Sequence, residues 1–171
     1  IAGGASFQSE CDTEVLLSLY MAKGPECVTE LEGMFAFAIY DKQQRSLLLA
    51  RDPLGIKPLY ISAKNESFSF ASELRCLVKL QTGKPTIDRS ALYSYLLYGS
   101  VQEPESLIEG ISMLPAGSYA IWKDGGFEQH EYWKPSFLSC DIPPTEAVSV
   151  TRSALEESVS RHLVSDVPVG V

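Results

Sequence analysis

The sequence predicts an α+β fold built in layers, and three observations carry that prediction. Met34 to Tyr40 is apolar at every position, and Ser46 to Ala50 resumes the pattern after the polar Asp41 to Arg45. Helix-period segments stand before these strands and another follows them, which is the layered arrangement. Short strand-like runs separated by glycine- and proline-containing turns then continue to Trp133.

Ile1 to Gln8 contains Gly3-Gly4 and reads as a loop. Ser9 or Asp12 can cap the helix that follows, because both side chains accept hydrogen bonds from free N–H groups. Val15, Leu16, Leu19 and Tyr20 give that helix one apolar face. Gly24-Pro25 ends it, and Pro25 suits the first turn of a second short helix with Cys27, Val28 and Leu31 inward. Gly33 is the expected stop. A continuous apolar run such as Met34 to Tyr40 predicts a strand covered on both faces. Asp41 to Arg45 is a hairpin-like turn.

Arg51-Asp52-Pro53-Leu54-Gly55-Ile56-Lys57-Pro58 is a loop stiffened by two prolines and a glycine beside buried strands. Leu59 to Ser62 and Phe68 to Ala71 are strands around a turn at Lys64-Asn65-Glu66. Ser72 is expected to cap a helix to Lys79, with Leu74, Leu77 and Val78 inward. After the polar break Gln81 to Pro85, Asp88 caps a helix to Tyr98, with Leu92, Tyr95 and Leu96 on its buried face and Gly99 ending it. Leu107 to Leu114 is mixed. Pro115-Ala116-Gly117 turns into a strand, Ser118 to Trp122, and Asp124-Gly125-Gly126 returns the chain through Phe127 to Trp133. Residues 134–144 carry three prolines and form a linker. Thr145 then caps a long helix with Val148, Leu155, Val159 and Leu163 on one face. Val167 to Val171 is an apolar strand, so residues 145–171 read as the start of a second, α/β domain.

With 14 basic and 22 acidic residues the net charge is −8, which argues against nucleic-acid binding through a basic patch. No run approaches the roughly 18 apolar residues of a membrane span. Ile1 begins without a charged n-region, so no signal peptide is expected and the start reads as truncated. Cys11, Cys27, Cys76 and Cys140 show no C-x-x-C spacing, which predicts reduced thiols in a cytoplasmic protein and no metal site. His130 and His162 stand alone.

Asp12 is the leading candidate for chemistry. A carboxylate at a helix start can hold a cation through a charge-assisted hydrogen bond, and it can equally be an ordinary helix-dipole acid. Cys11 beside it raises a second reading, a reactive thiol at a helix N-terminus, which the adjacent Asp12 opposes. Arg51 and Asp52 read first as buried, paired groups that shape their loop, and Glu73 as a helix N-terminal acid; all three are candidates for structural support of a site. Lys57 can snorkel to solvent or pair with a carboxylate such as Glu73.

RDPLGIKPLY, preceded by GMFAFAIYD and followed by FASEL, resembles the class II glutamine amidotransferases, and the asparagine synthetase group among them most. SECDTEVLL, LPAG and SDVPVG extend the resemblance from about Ser9 to Val171. The resemblance implies the later half of a four-layer α/β/β/α sandwich over residues 1–133, followed by the first helix and strand of an ATP-binding synthetase domain. It gives Asp12 the role of binding the α-ammonium of glutamine; Cys11 stands where the family usually has serine. It implies glutamine, aspartate and ATP as substrates, with magnesium, in the parent enzyme, and it allows a homodimer. The family's N-terminal cysteine nucleophile and its Ser-Gly-Gly-x-Asp-Ser pyrophosphate loop are not in this sequence. The chain itself is therefore expected to be a fragment without glutaminase activity, with bare sheet edges and poor stability on its own. Two alternatives stay open: another class II amidotransferase, such as the purine-pathway enzyme, and a non-catalytic module of the same fold.

Overall fold

A computed structural model describes residues 7–9, 11–64, 67–137 and 142–163. The chain divides into two compact units, Ile1–Lys134 and Pro135–Val171.

The first unit is mixed α+β with antiparallel sheets. It begins with helix α1 (Asp12–Lys23) and a 3-10 helix (Gly24–Glu30). Seven strands follow: β1 (Ala36–Asp41), β2 (Ser46–Arg51), β3 (Tyr60–Lys64), β4 (Ser67–Ala71), β5 (Ser112–Met113), β6 (Ser118–Lys123) and β7 (Gly126–Glu131). Helices α2 (Leu74–Leu80) and α3 (Arg89–Tyr98) lie between β4 and β5. One sheet has the order β1-β2-β6-β7, the other β4-β3-β5.

Strand β2 is the centre of the larger sheet, and its alternation splits the core in two. Leu48 and Ala50 pack with Cys27, Val28 and Tyr119 on one face. Leu49 packs on the other face with Ala120 and with Leu59, Ile61 and Leu114 from the segments of the smaller sheet. Deep burial therefore sits on β2, whereas the sequence places it on Met34 to Tyr40. Strand β1 is an edge strand, and Tyr40 is 55% exposed. The reason is pairing at long range: β6 arrives from far along the chain and pairs with β2, Leu49 opposite Ala120, so β2 is paired on both sides while β1, among the described residues, pairs with β2 alone.

The turns follow local chemistry. Asp41 accepts hydrogen bonds from the N–H groups of Gln43 and Gln44 and shapes the β1–β2 turn. Asp124 and Gly125 both have positive φ in the β6–β7 hairpin, as a tight two-residue turn demands.

The helix ends depart from expectation in four places. Neither Ser9 nor Asp12 caps α1: Cys11 is its N-cap without a side-chain bond, and Asp12 is its first residue. Ser9 instead donates, from both N–H and hydroxyl, to Glu14, which also accepts from the N–H of Gln8. The second short helix is 3-10 and ends at Glu30 with Leu31 as its cap, so Gly33 lies beyond it. Ser72 does not cap α2, whose N-cap is Glu73. Thr145 lies inside α4 (Pro144–His162), where Pro144 occupies the first turn, a place its missing N–H tolerates.

Asp88 does cap α3, accepting from the N–H groups of Ser90 and Ala91, and Gly99 closes it in the left-handed region. The buried face is not the expected one. Ala91 and Ser94 are buried, while Leu92, Tyr95 and Leu96 are exposed. Small residues let the helix approach the segment after it, and Ser94 accepts the N–H of Gln102 there.

The second unit is described by α4, whose Val148, Leu155, Val159 and Leu163 are all exposed. The apolar run Val167 to Val171 and the Asn65-Glu66 turn positions lie outside the described residues.

Candidate functional site

Asp12 stands at the N-terminus of α1, exposed, with its carboxylate accepting from the Thr13 hydroxyl at 3.4 Å and from the Cys11 thiol at 3.7 Å. It borders a cavity of about 560 Å³. Thr13 and Leu16 line it too, with Leu31, Glu32, Met34 and Phe35 to Phe37, and with Lys57, Pro58 and Ser72. The cavity is of the size that small ligands occupy. Its carboxylate at a helix start can hold an ammonium group, since neither of its short-range donors is charged. A larger hollow of about 770 Å³ opens between α1 and the β1–β2 turn, and it contains none of the residues that the sequence singles out for chemistry.

Lys57 and Pro58 reach the cavity because their loop is built around Arg51 and Asp52, each 1% exposed. Arg51 sits at the end of β2 and spends its guanidinium on four partners. Nε donates to the Lys57 carbonyl at 2.8 Å and Nη2 to the Gly55 carbonyl at 2.6 Å. Nη1 donates to the Leu114 carbonyl at 2.8 Å, and Nη1 and Nη2 together clasp Glu103. Asp52 works in the opposite sense. Its carboxylate accepts from the N–H groups of Leu54, Ile56 and Lys57 at 3.2, 2.9 and 2.9 Å. A rigid donor fork and an acceptor-only carboxylate thus satisfy the loop backbone from inside, which a buried loop needs. The Arg51 charge is neutralised by Glu103 and not by its neighbour Asp52.

Two further residues tie this loop to the last hairpin. The Tyr132 hydroxyl donates to the Arg51 carbonyl at 2.8 Å. Burial, and then the nearby Asp52 charge, push the Tyr132 phenol well above its ordinary range. Gly117 donates its N–H to the Asp52 carbonyl at 2.9 Å and accepts the N–H groups of Tyr132 and Trp133.

The structure brings Asp12 and the Arg51–Asp52 loop to one cavity, the loop entering through Lys57. Glu73 is not among the lining residues: its carboxylate pairs with Arg75 at the start of α2, so of the two settings open to Lys57 the pairing with Glu73 is not the one formed. Glu103, Tyr132 and Gly117 were not singled out in the sequence. Their only signals are a glutamate within Gln102-Glu103-Pro104-Glu105, an aromatic after β7 and the glycine of Leu114-Pro115-Ala116-Gly117, none of which names a partner. Among the described residues no three His, Cys, Asp or Glu side chains converge. Nor is any described helix long and apolar enough to cross a membrane.

Comparison with known proteins sets this chain in a family. Asparagine synthetase [glutamine-hydrolyzing] 1 of Bacillus subtilis is 39% identical over 170 residues, covering 99% of this chain and 27% of its own length. Asparagine synthetase B [glutamine-hydrolyzing] of Escherichia coli is 36% identical over 168 residues, covering 96% of this chain and 25% of its own length. The chain thus spans about a quarter of the length of the curated relatives it matches. A solved structure described as the allosteric regulatory enzyme of purine biosynthesis shares the fold, with a TM-score of 0.50 and 21% identity over 77% of this chain and 24% of that one. Residues 1–133 match the glutamine amidotransferase domain family, and the chain belongs to that family, in its class II branch.

Proposed function

We propose that this chain is part of a glutamine-dependent asparagine synthetase and that Asp12 binds the α-ammonium group of glutamine. The observation that carries the reading is the position of Asp12: an exposed carboxylate at a helix start, lining a cavity that Lys57 and Pro58 of the Arg51–Asp52 loop also line. A fixed negative charge there orients an amino acid before its side-chain amide is cleaved. Residues 1–133 supply the later part of a four-layer α/β/β/α amidotransferase domain, residues 134–144 a linker, and residues 145–171 the first elements of the synthetase domain. Arg51 and Asp52 support the site from behind the loop.

In the whole protein, glutamine gives up ammonia, which then attacks an aspartate activated by ATP. ATP and magnesium would supply that activation at groups other than the described residues. The identities of 36–39% to glutamine-hydrolysing asparagine synthetases, against 21% to the purine-pathway structure, favour this reading over another class II enzyme.

The test uses Asp12→Asn in the protein that carries this chain. Loss of the charge should raise KM for glutamine by about 100-fold, on the order of 3 kcal/mol for a charge-assisted hydrogen bond. Asparagine formation with free ammonium as nitrogen source should be unchanged, and so should the unfolding midpoint. An equal loss with both nitrogen sources would make Asp12 a structural residue and sink the assignment.

A further inference from the structure

A guanidinium has five N–H donors, and Arg51 uses them all. Three go to the carbonyls of Lys57, Gly55 and Leu114, and two to the Glu103 carboxylate. The carbonyls fix where the head lies. Glu103 fixes the plane of the fork through two parallel bonds and supplies the counter-charge that a buried guanidinium requires. Glu103 is itself held on both sides. The N–H of Gln102 donates to the Ser94 hydroxyl oxygen on α3 at 3.1 Å, and the Pro104 carbonyl accepts from the N–H of Met113 on β5 at 2.8 Å.

The orientation of the fork reaches the cavity through the loop backbone. Arg51 holds the Lys57 carbonyl while Asp52 holds the Lys57 N–H, so the peptide groups on both sides of Lys57 are tied. Pro58 follows with its φ fixed by the ring. Gly55 lies so close to the fork that a Cβ built there would stand 3.0 Å from Cζ and Nη2 of Arg51. A tilt of the guanidinium therefore displaces the loop, and Lys57 and Pro58 of that loop line the same cavity as Asp12. We infer that Glu103 is a positioning residue for glutamine: through Arg51 it holds the Lys57–Pro58 part of the cavity in its binding shape, a role that rests on the reading of this cavity as the glutamine site. A loop ordered before the ligand arrives need not be ordered by it. A loop that samples other shapes lowers the apparent affinity by the fraction of time it is competent. The effect of Glu103 belongs to binding, because its carboxylate is engaged with Arg51 and is not among the lining residues.

Steady-state kinetics of Glu103→Gln, in the protein that carries this chain, test this. KM for glutamine should rise about five- to tenfold while kcat at saturating glutamine stays within about twofold. Asparagine formation from free ammonium should not change. A merely structural role gives a different pattern: fewer folded molecules lower kcat with both nitrogen sources and leave KM alone. That pattern, or kinetics like the parent's, overturns the inference. Asp12→Asn measured alongside keeps the two readings apart. A glutamine-specific rise of KM in Asp12→Asn with none in Glu103→Gln removes the positioning role alone. A rise in Glu103→Gln with none in Asp12→Asn removes Asp12 as the ammonium anchor and leaves the role of Glu103 standing.

Discussion

Arg51 and Glu103 form a bidentate ion pair, Nη1 to Oε2 at 2.7 Å and Nη2 to Oε1 at 2.8 Å, across 52 residues of chain. One partner is fully buried and the other is 41% exposed. That asymmetry decides what each substitution does. Glu103→Gln keeps one acceptor in place, and solvent can reach what it leaves, so the loss should be about 1–2 kcal/mol. Arg51→Met leaves the Gly55, Lys57 and Leu114 carbonyls and Glu103 without their donors, and should cost about 3–5 kcal/mol. Arg51→Lys cannot reproduce the fork and should fall nearer the methionine variant than the parent. Urea unfolding of the three variants checks the order. A larger loss in Glu103→Gln than in Arg51→Met would contradict it.

Gly117 is expected to tolerate no side chain. Its φ is +62°, and a Cβ there would stand 2.2 Å from the Trp133 carbonyl oxygen. Backbone cannot yield as a flexible side chain does. Gly117→Ala should destabilise by more than about 3 kcal/mol, combining left-handed strain with a hard clash. Gly83, at φ +103° with no atom within 4 Å of a built Cβ, is the control and should lose far less on the same substitution.

Asp88 links α3 to pH. Bonds from the Ala91 N–H, then the Ser90 hydroxyl, hold its carboxyl below the ordinary range. A folded-state pKa below the unfolded one contributes stability that is present above about pH 4 and is lost as pH falls through the depressed value. The stability gap between the parent and Asp88→Ala should therefore be constant at neutral pH and close in acid. Asp88→Asn, which caps without titrating, should lack that acid-dependent component. Denaturant midpoints between neutrality and pH 2 would show it; a gap that stays constant into acid would refute it.

Tyr132 works in the opposite direction along the pH scale. Its phenol is raised, so the stability it contributes is complete below about pH 10 and declines as pH rises beyond that. Tyr132→Phe should lose about 1 kcal/mol at neutral pH, because the Arg51 carbonyl loses its donor. Phenolate absorbance of the parent during alkaline titration should show one tyrosine that ionises only with unfolding. If Tyr132→Phe removes a tyrosine that titrates in the native state, the burial argument fails.

Features legible in the sequence are those decided within a few residues. Asp88 and Gly99 bound α3 because an acceptor at the N-cap and a left-handed glycine at the end satisfy local backbone groups. Asp124-Gly125 turns the last hairpin because both residues take positive φ. Asp12 was legible only through its motif, since nothing in SECDTEVLL states that Lys57 lines the same cavity.

What the sequence alone determined, then, is the identity and order of most elements, β5 (Ser112–Met113) excepted, the α+β class and the family to which RDPLGIKPLY points. Which strand is central, which face of α3 is buried, and which acid neutralises Arg51 were decided by tertiary structure. An apolar period says that a face can be buried but not which partner reaches it. Met34 to Tyr40 reads as fully apolar, yet β1 lies at an edge among the described residues while β2, paired with β6, is central. A buried guanidinium demands a counter-charge, and Glu103, 52 residues away, meets that demand only because the folded chain brings it there.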